Sequence, residues 1–259
     1  DIYVLDGGRG LVERYRLDAN QEFVPDPTGQ TVLAEGAAVD GVTVGPLADM
    51  AWQPAVPGFQ DRPGLLVLDR NNNFFRYDPR VEGASYIELG DPTALQFPNQ
   101  IETYSGRTYV ADAGVQQILR YEPGQFNLTP TPWFAEQTAA NLTGLQRMAI
   151  DGDIWLLYPT GIVLRYNQGE SVPFSVKGSV ARIDDPIDMA VGQQTDILYI
   201  ADAAGERIFA FDKNGDYLAQ YIAPEPGQLV NLRGLYLDDV AGRLFILTQS
   251  SLFQVPPPG

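Results

Sequence analysis

Six times along the chain a run of four or five apolar or β-branched residues passes through a polar turn into a second, alternating run that ends on an aromatic or a turn residue. These segments are residues 2–18, 65–79, 108–123, 154–170, 198–216 and 244–258, and each reads as a β-hairpin. With Val4, Val67, Val110, Leu156, Ile200 and Ile246 taken as equivalent, the spacings are 63, 43, 46, 44 and 46. A short strand precedes most hairpins, at 49–52, 100–103, 147–150, 188–191 and 233–236, and a fourth follows several, as at 85–89 and 217–222. Short strands repeating at this period, with Gly and Pro at the turns and no sustained helical periodicity, predict propeller blades. The expected fold is all-β: a six-bladed β-propeller with mostly four-stranded antiparallel blades.

The spacing also predicts irregularities. Only 17 residue steps separate Ile246 from Val4 through the two chain ends, so the first blade is expected to lack its first strand and the last blade its final one. The long first interval falls in residues 19–46, rich in Gly, Pro and Asp, and reads as a surface excursion with short strands at 31–34 and 42–44. Residues 1–259 are expected to form one propeller domain. Asp1 opens almost directly onto a strand, which suggests a piece of a longer polypeptide.

Composition narrows the chemistry. The chain has neither Cys nor His, which removes disulfides, thiolate nucleophiles and every imidazole base or ligand. Its 17 basic against 33 acidic residues give a net charge of −16, which repels a phosphate backbone, so no nucleic-acid partner is expected. No apolar run approaches the ~20 residues of a membrane helix, so no direct membrane insertion is expected of this piece.

The segment from Tyr199 to Asp216 carries the sequence Tyr-Ile-Ala-Asp-Ala-Ala-Gly-Glu-Arg-Ile-Phe-Ala-Phe-Asp-Lys-Asn-Gly-Asp and resembles an NHL repeat. Tyr109-Val110-Ala111-Asp112-Ala113-Gly114 with Ile118 is a second match, whereas Tyr158 and Thr248 stand where the repeat's Asp belongs. The resemblance implies a six-bladed NHL-like propeller of the bacterial sensor or scaffold type. Similar rings form extracytoplasmic parts of membrane-anchored signalling proteins, so it also implies an extracytoplasmic location. The expected function is therefore non-enzymatic binding of a protein or a small polar ligand. The alternative comes from six-bladed relatives of the calcium-dependent lactonase and strictosidine synthase type, which implies a hydrolase or lyase using channel carboxylates. Asp49, Gln100, Glu102 and Asp188 are the side chains available for it.

Several residues are candidates for sites. Asp6, Asp69, Asp112 and Asp202 recur at the end of the hairpins' first strand, where a short carboxylate accepts backbone N–H bonds and closes a turn. Asp212–Asp216 and Asp151–Asp153 imitate calcium loops but lack the twelve-position ligand pattern, so no metal site is expected, and no cofactor; Ca²⁺ is the one cation to test. Asp49, Gln100, Arg147, Asp188 and Arg233 open the inner strands and would line a channel mouth, with Arg suited to a carboxylate and Asp to an amine. The competing reading is that Arg147, Asp188 and Arg233 pair with one another. Trp133 and Phe134, in a Pro-bounded stretch at a blade edge, are candidates for partner contact.

Overall fold

The computed structural model describes residues 1–19, 22–27, 29–135 and 140–257. Six antiparallel sheets of three or four strands, besides one two-stranded hairpin, follow one another along the described residues, where a single 3-10 turn at Pro92–Ala94 is the only helical element. The protein is an all-β, six-bladed β-propeller. Its contacts divide it into two compact units, Asp1–Trp133 with blades 1 to 3 and Phe134–Gly259 with blades 4 to 6.

In the first unit, blade 1 pairs Ile2–Asp6 with Leu11–Leu17, whose far edge carries both Phe23–Pro25 and Thr31–Ala34. A small hairpin, Ala38–Val39 with Val42–Thr43, completes the expected excursion. Blade 2 comprises Leu47–Gln53, Gly64–Asp69, Phe74–Asp78 and Gly83–Ile87; blade 3 comprises Pro98–Tyr104, Arg107–Asp112, Gln117–Tyr121 and Thr131–Pro132. In the second unit, blade 4 is Arg147–Ile150, Ile154–Leu157, Val163–Asn167 and Glu170–Val172, and blade 5 is Pro186–Val191, Ile197–Asp202, Arg207–Asp212 and Tyr217–Ile222. Blade 6 has three strands, Leu232–Asp238, Arg243–Thr248 and Leu252–Val255.

The second strands of blades 2 to 5 are covered on both faces, which explains why they read as continuous apolar runs rather than as alternation. Gly64–Asp69 and Ile154–Leu157 are buried at every position. Leu66 and Leu68 of blade 2 pack with Ile101, Val110 and Leu119 of blade 3. In the second unit, Trp155 and Leu157 pack with Met189, Ile200 and Phe209. Trp155 is fully enclosed, edge-on to Phe174 at 5.0 Å with the Arg165 guanidinium over its face at 4.8 Å.

The recurring Asp closes its turn and does more. Asp6 Oδ1 accepts the N–H groups of Gly8 and Arg9, a local turn. Asp69, Asp112 and Asp202 are completely buried and also hold the loop that feeds their own blade's first strand. Asp69 Oδ2 accepts Gly45 N–H at 2.8 Å. Asp112 accepts Gln96 and Phe97 at 2.7 and 2.8 Å, and Asp202 Oδ1 accepts Asp184 and Asp185 at 3.2 and 2.9 Å. Beside each carboxylate the next residue's N–H returns to the loop: Arg70 to Pro46, Ala113 to Phe97, Ala203 to Asp185. Blade 4 substitutes Tyr158, whose hydroxyl donates to Asn141 carbonyl at 2.8 Å. In blade 6 Thr248 closes only its own turn, accepting from Ser251 N–H at 3.0 Å.

Removing a buried acceptor strands the donors it served, so Asp202→Ala should cost about 3 kcal/mol or more in chemical denaturation. Asp6→Ala, which frees a half-exposed turn, should cost under about 1 kcal/mol. Equal losses would show that the loop anchor carries no special weight.

Candidate functional site

Asp49 and Gln100 lie on the first strands of blades 2 and 3. Each follows a register shift, Leu47/Asp49 and Pro98/Gln100, that sets the strand's entry. Such a strand is the outer edge of its sheet, and alternate N–H groups there face away from the ladder. Asp49 Oδ2 accepts one of these, the N–H of Ile101 in the next blade, at 2.9 Å. Thr103 Oγ1 donates to Trp52 carbonyl at 2.6 Å, so the same two blades are joined twice. Gln100 is buried.

The second unit repeats the device. Asp188, after the register shift Pro186/Asp188, accepts Leu235 N–H of blade 6 on Oδ2 at 2.7 Å and Met189 N–H on Oδ1 at 2.8 Å. Arg147 Nε of blade 4 stands 3.3 Å from Asp188 Oδ1, so the expected pairing of these two is present. Arg233 departs from expectation. Blade 6 shifts register between Leu232 and Gly234, so Gly234, opposite Leu247, occupies the position that Asp188 holds opposite Ala201. Arg233 falls in the bulge and is exposed, with no ion pair among the described residues. A side chain at Gly234 would bring its Cβ to 3.2 Å from Asp188 Oδ2, so glycine there lets the carboxylate reach Leu235.

Burial pushes the Asp188 carboxyl above its ordinary pKa, and Arg147 with the Leu235 and Met189 N–H groups pulls back against it. Trp133 is half-buried. Phe134 is 5% exposed and packs edge-on against Tyr166 at 4.9 Å, so its ring is spent on the interior of the second unit rather than offered to a partner. The two calcium-like stretches are turns. Asp212 Oδ1 accepts Asn214 and Asp216 N–H, each at 2.9 Å. Asp151 Oδ1 accepts Asp153 N–H and the Trp155 indole, while its other oxygen meets Lys213 Nζ at 2.7 Å. Among the described residues no three acidic side chains converge as a metal cage.

A feature the sequence reading did not single out lies in blade 6. A cavity of about 560 Å³ opens between the loop before the first strand and the turn after the second, lined by Gln228, Asn231, Thr248, Gln249, Ser250 and Ser251 among others. Its sequence signal was Thr248 in place of the recurring Asp.

A carboxyl with a raised folded-state pKa binds its proton more readily folded than unfolded, so its contribution to stability is lost as pH rises through that value. Wild type should therefore lose melting temperature relative to Asp188→Asn as pH is raised from about 4 to about 7. A constant difference across that range would mean that Asp188 titrates as an ordinary carboxylate.

No protein-family model matches the chain, and no curated protein matches it in sequence. Among solved structures, a gluconolactonase from Xanthomonas campestris is 15% identical with a TM-score of 0.59, covering 98% of this chain and 81% of that one. A streptogramin B lyase structure is 13% identical with a TM-score of 0.48, covering 82% of this chain and 69% of that one. At such identities the first likeness speaks for the propeller fold alone, and the chemistry must be argued from this chain's own residues.

Proposed function

We propose that this chain is a non-enzymatic, ligand-binding β-propeller of the NHL-like kind, the sensor or scaffold part of a larger extracytoplasmic protein. One observation carries the reading: the inner-strand carboxylates are already committed. Asp49 and Asp188 each accept an edge N–H from the next blade, and Asp188 also faces Arg147. A cation or a reacting ester would have to compete with those bonds, whose loss leaves buried donors unsatisfied. The net charge of −16 favours neutral or basic ligands over anionic ones.

A lactone hydrolase or lyase is the second reading. The fold likeness to the gluconolactonase supports it, as does the raised proton affinity of Asp188, a property of general acids.

Two assays separate them. The purified chain, incubated with D-glucono-1,5-lactone and a pH indicator, should hydrolyse it no faster than buffer, with Ca²⁺ or with chelator. Calcium-dependent turnover lost in Asp188→Ala would establish the enzyme instead. In a thermal screen of amino acids, small sugars and peptidoglycan fragments, a true ligand should raise the melting temperature by about 5 °C at a hundredfold excess over Kd, without being consumed.

A further inference from the structure

In blades 2, 3 and 5 the buried Asp at the end of the second strand fills the space under the loop that feeds the first strand. Blade 6 keeps the rest of this arrangement. Gln249 N–H returns to Asn231 carbonyl at 3.0 Å, just as Ala203 returns to Asp185. The carboxylate, however, is replaced by Thr248, whose short side chain stays within its own turn. The N–H of Asn231, which an Asp would have capped, has no acceptor among the described residues. Asn231 itself sits at φ +55°, a left-handed conformation that Asn tolerates better than most residues.

Beside this altered corner lies a cavity of about 560 Å³, within the 300–1,000 Å³ typical of small-molecule sites. Its wall is chemically uniform. Gln228, Asn231 and Gln249 supply amides, Thr248, Ser250 and Ser251 supply hydroxyls, Phe253 and Val230 supply the apolar surface, and no charged residue lines it. Among the described residues the side chains of Asn231, Gln249, Ser250 and Ser251 make no hydrogen bond, whereas Gln228 Nε2 donates to Glu225 at 3.3 Å. Amides and hydroxyls both donate and accept, which matches a ligand whose own groups do the same. A charged ligand would find no counter-charge, and an apolar one would strand the amides. A neutral ring bearing hydroxyls on its rim and C–H groups on its face satisfies both walls.

We propose that this cavity in blade 6 binds a neutral polyhydroxylated ligand, a saccharide either free or as a unit of a glycan. The inference rests on the ligand-binding reading above and gives it a site and a ligand class.

The test is titration calorimetry of the whole 259-residue chain with D-glucose, N-acetyl-D-glucosamine, maltotriose and D-glucuronate. At least one neutral sugar should bind with Kd near 1 mM or below, and glucuronate at least tenfold more weakly. Asn231→Ala and Gln249→Ala, both at exposed positions, should each weaken binding about tenfold. Thr248→Asp, which gives blade 6 the residue of its neighbours and places a carboxylate on an otherwise uncharged wall, should weaken binding of a neutral sugar about tenfold. If that variant unfolds, the two alanine variants decide. Maltotriose binding tenfold tighter than glucose would identify a glycan as the source, and equal affinities a free sugar. Silence toward every neutral sugar, or glucuronate binding as tightly, would overturn the proposal. So would affinities unchanged in all three variants. A screened amino acid that binds while every sugar fails would sink this inference and leave the ligand-binding reading standing, whereas lactone turnover would sink that reading.

Discussion

Backbone N–H groups at the margins of small sheets are the constraint on which this structure depends. A blade of three or four short strands satisfies its interior ladder but leaves donors bare along the first strand's outer edge and in the loop that feeds it. Carboxylates placed at two recurring positions answer both needs. Asp69, Asp112 and Asp202 cap the feeding loop from within the same blade, and Asp49 and Asp188 cap the edge of the next. The first device fixes how blades 2, 3 and 5 begin, and the second ties blade 2 to blade 3 and blade 5 to blade 6 at the inner strand.

This use of acid has consequences for chemistry. The chain is strongly acidic, and several of its buried carboxylates are held by backbone donors rather than left to converge on a common point. A charge-assisted bond to an N–H group is stronger than a neutral one, and inside a protein its loss leaves a donor that water cannot rescue. Side chains so engaged are poor candidates for moving protons or gripping a cation, which is why the repeated Asp reads as architecture.

The exceptions carry the information. Tyr158 reaches across to Asn141 and restores the loop contact in blade 4 by a longer route. Thr248 does not, and beside it lies a polar cavity in which the side chains of Asn231, Gln249, Ser250 and Ser251 make no hydrogen bond among the described residues. The missing structural bond and the polar cavity fall at the same corner of blade 6. The local cost is small because the turn remains closed by Thr248 and the Gln249 to Asn231 bond persists.

Much of this was legible in the chain itself. The period near 45, the hairpins and the turn-forming Asp residues are written in contiguous stretches, because strand alternation and an N–H bond two residues away are local properties. Counting pointed to the three strands of blade 6, and the strand at 31–34 was found where expected, making blade 1 a four-stranded sheet. What lay beyond the sequence depended on register and on neighbouring sheets. Blades 5 and 6 carry the same register shift, so Arg233 falls in the bulge as Ile187 does and Gly234 stands in line with Asp188, since a shift of one position turns a side chain to the other face. Phe134, exposed in appearance among its prolines, is covered by Tyr166, a residue 32 positions away. The cavity is bounded by a loop and a turn that are 17 residues apart and joined by the Gln249 to Asn231 bond, and only the folded chain brings those two segments together.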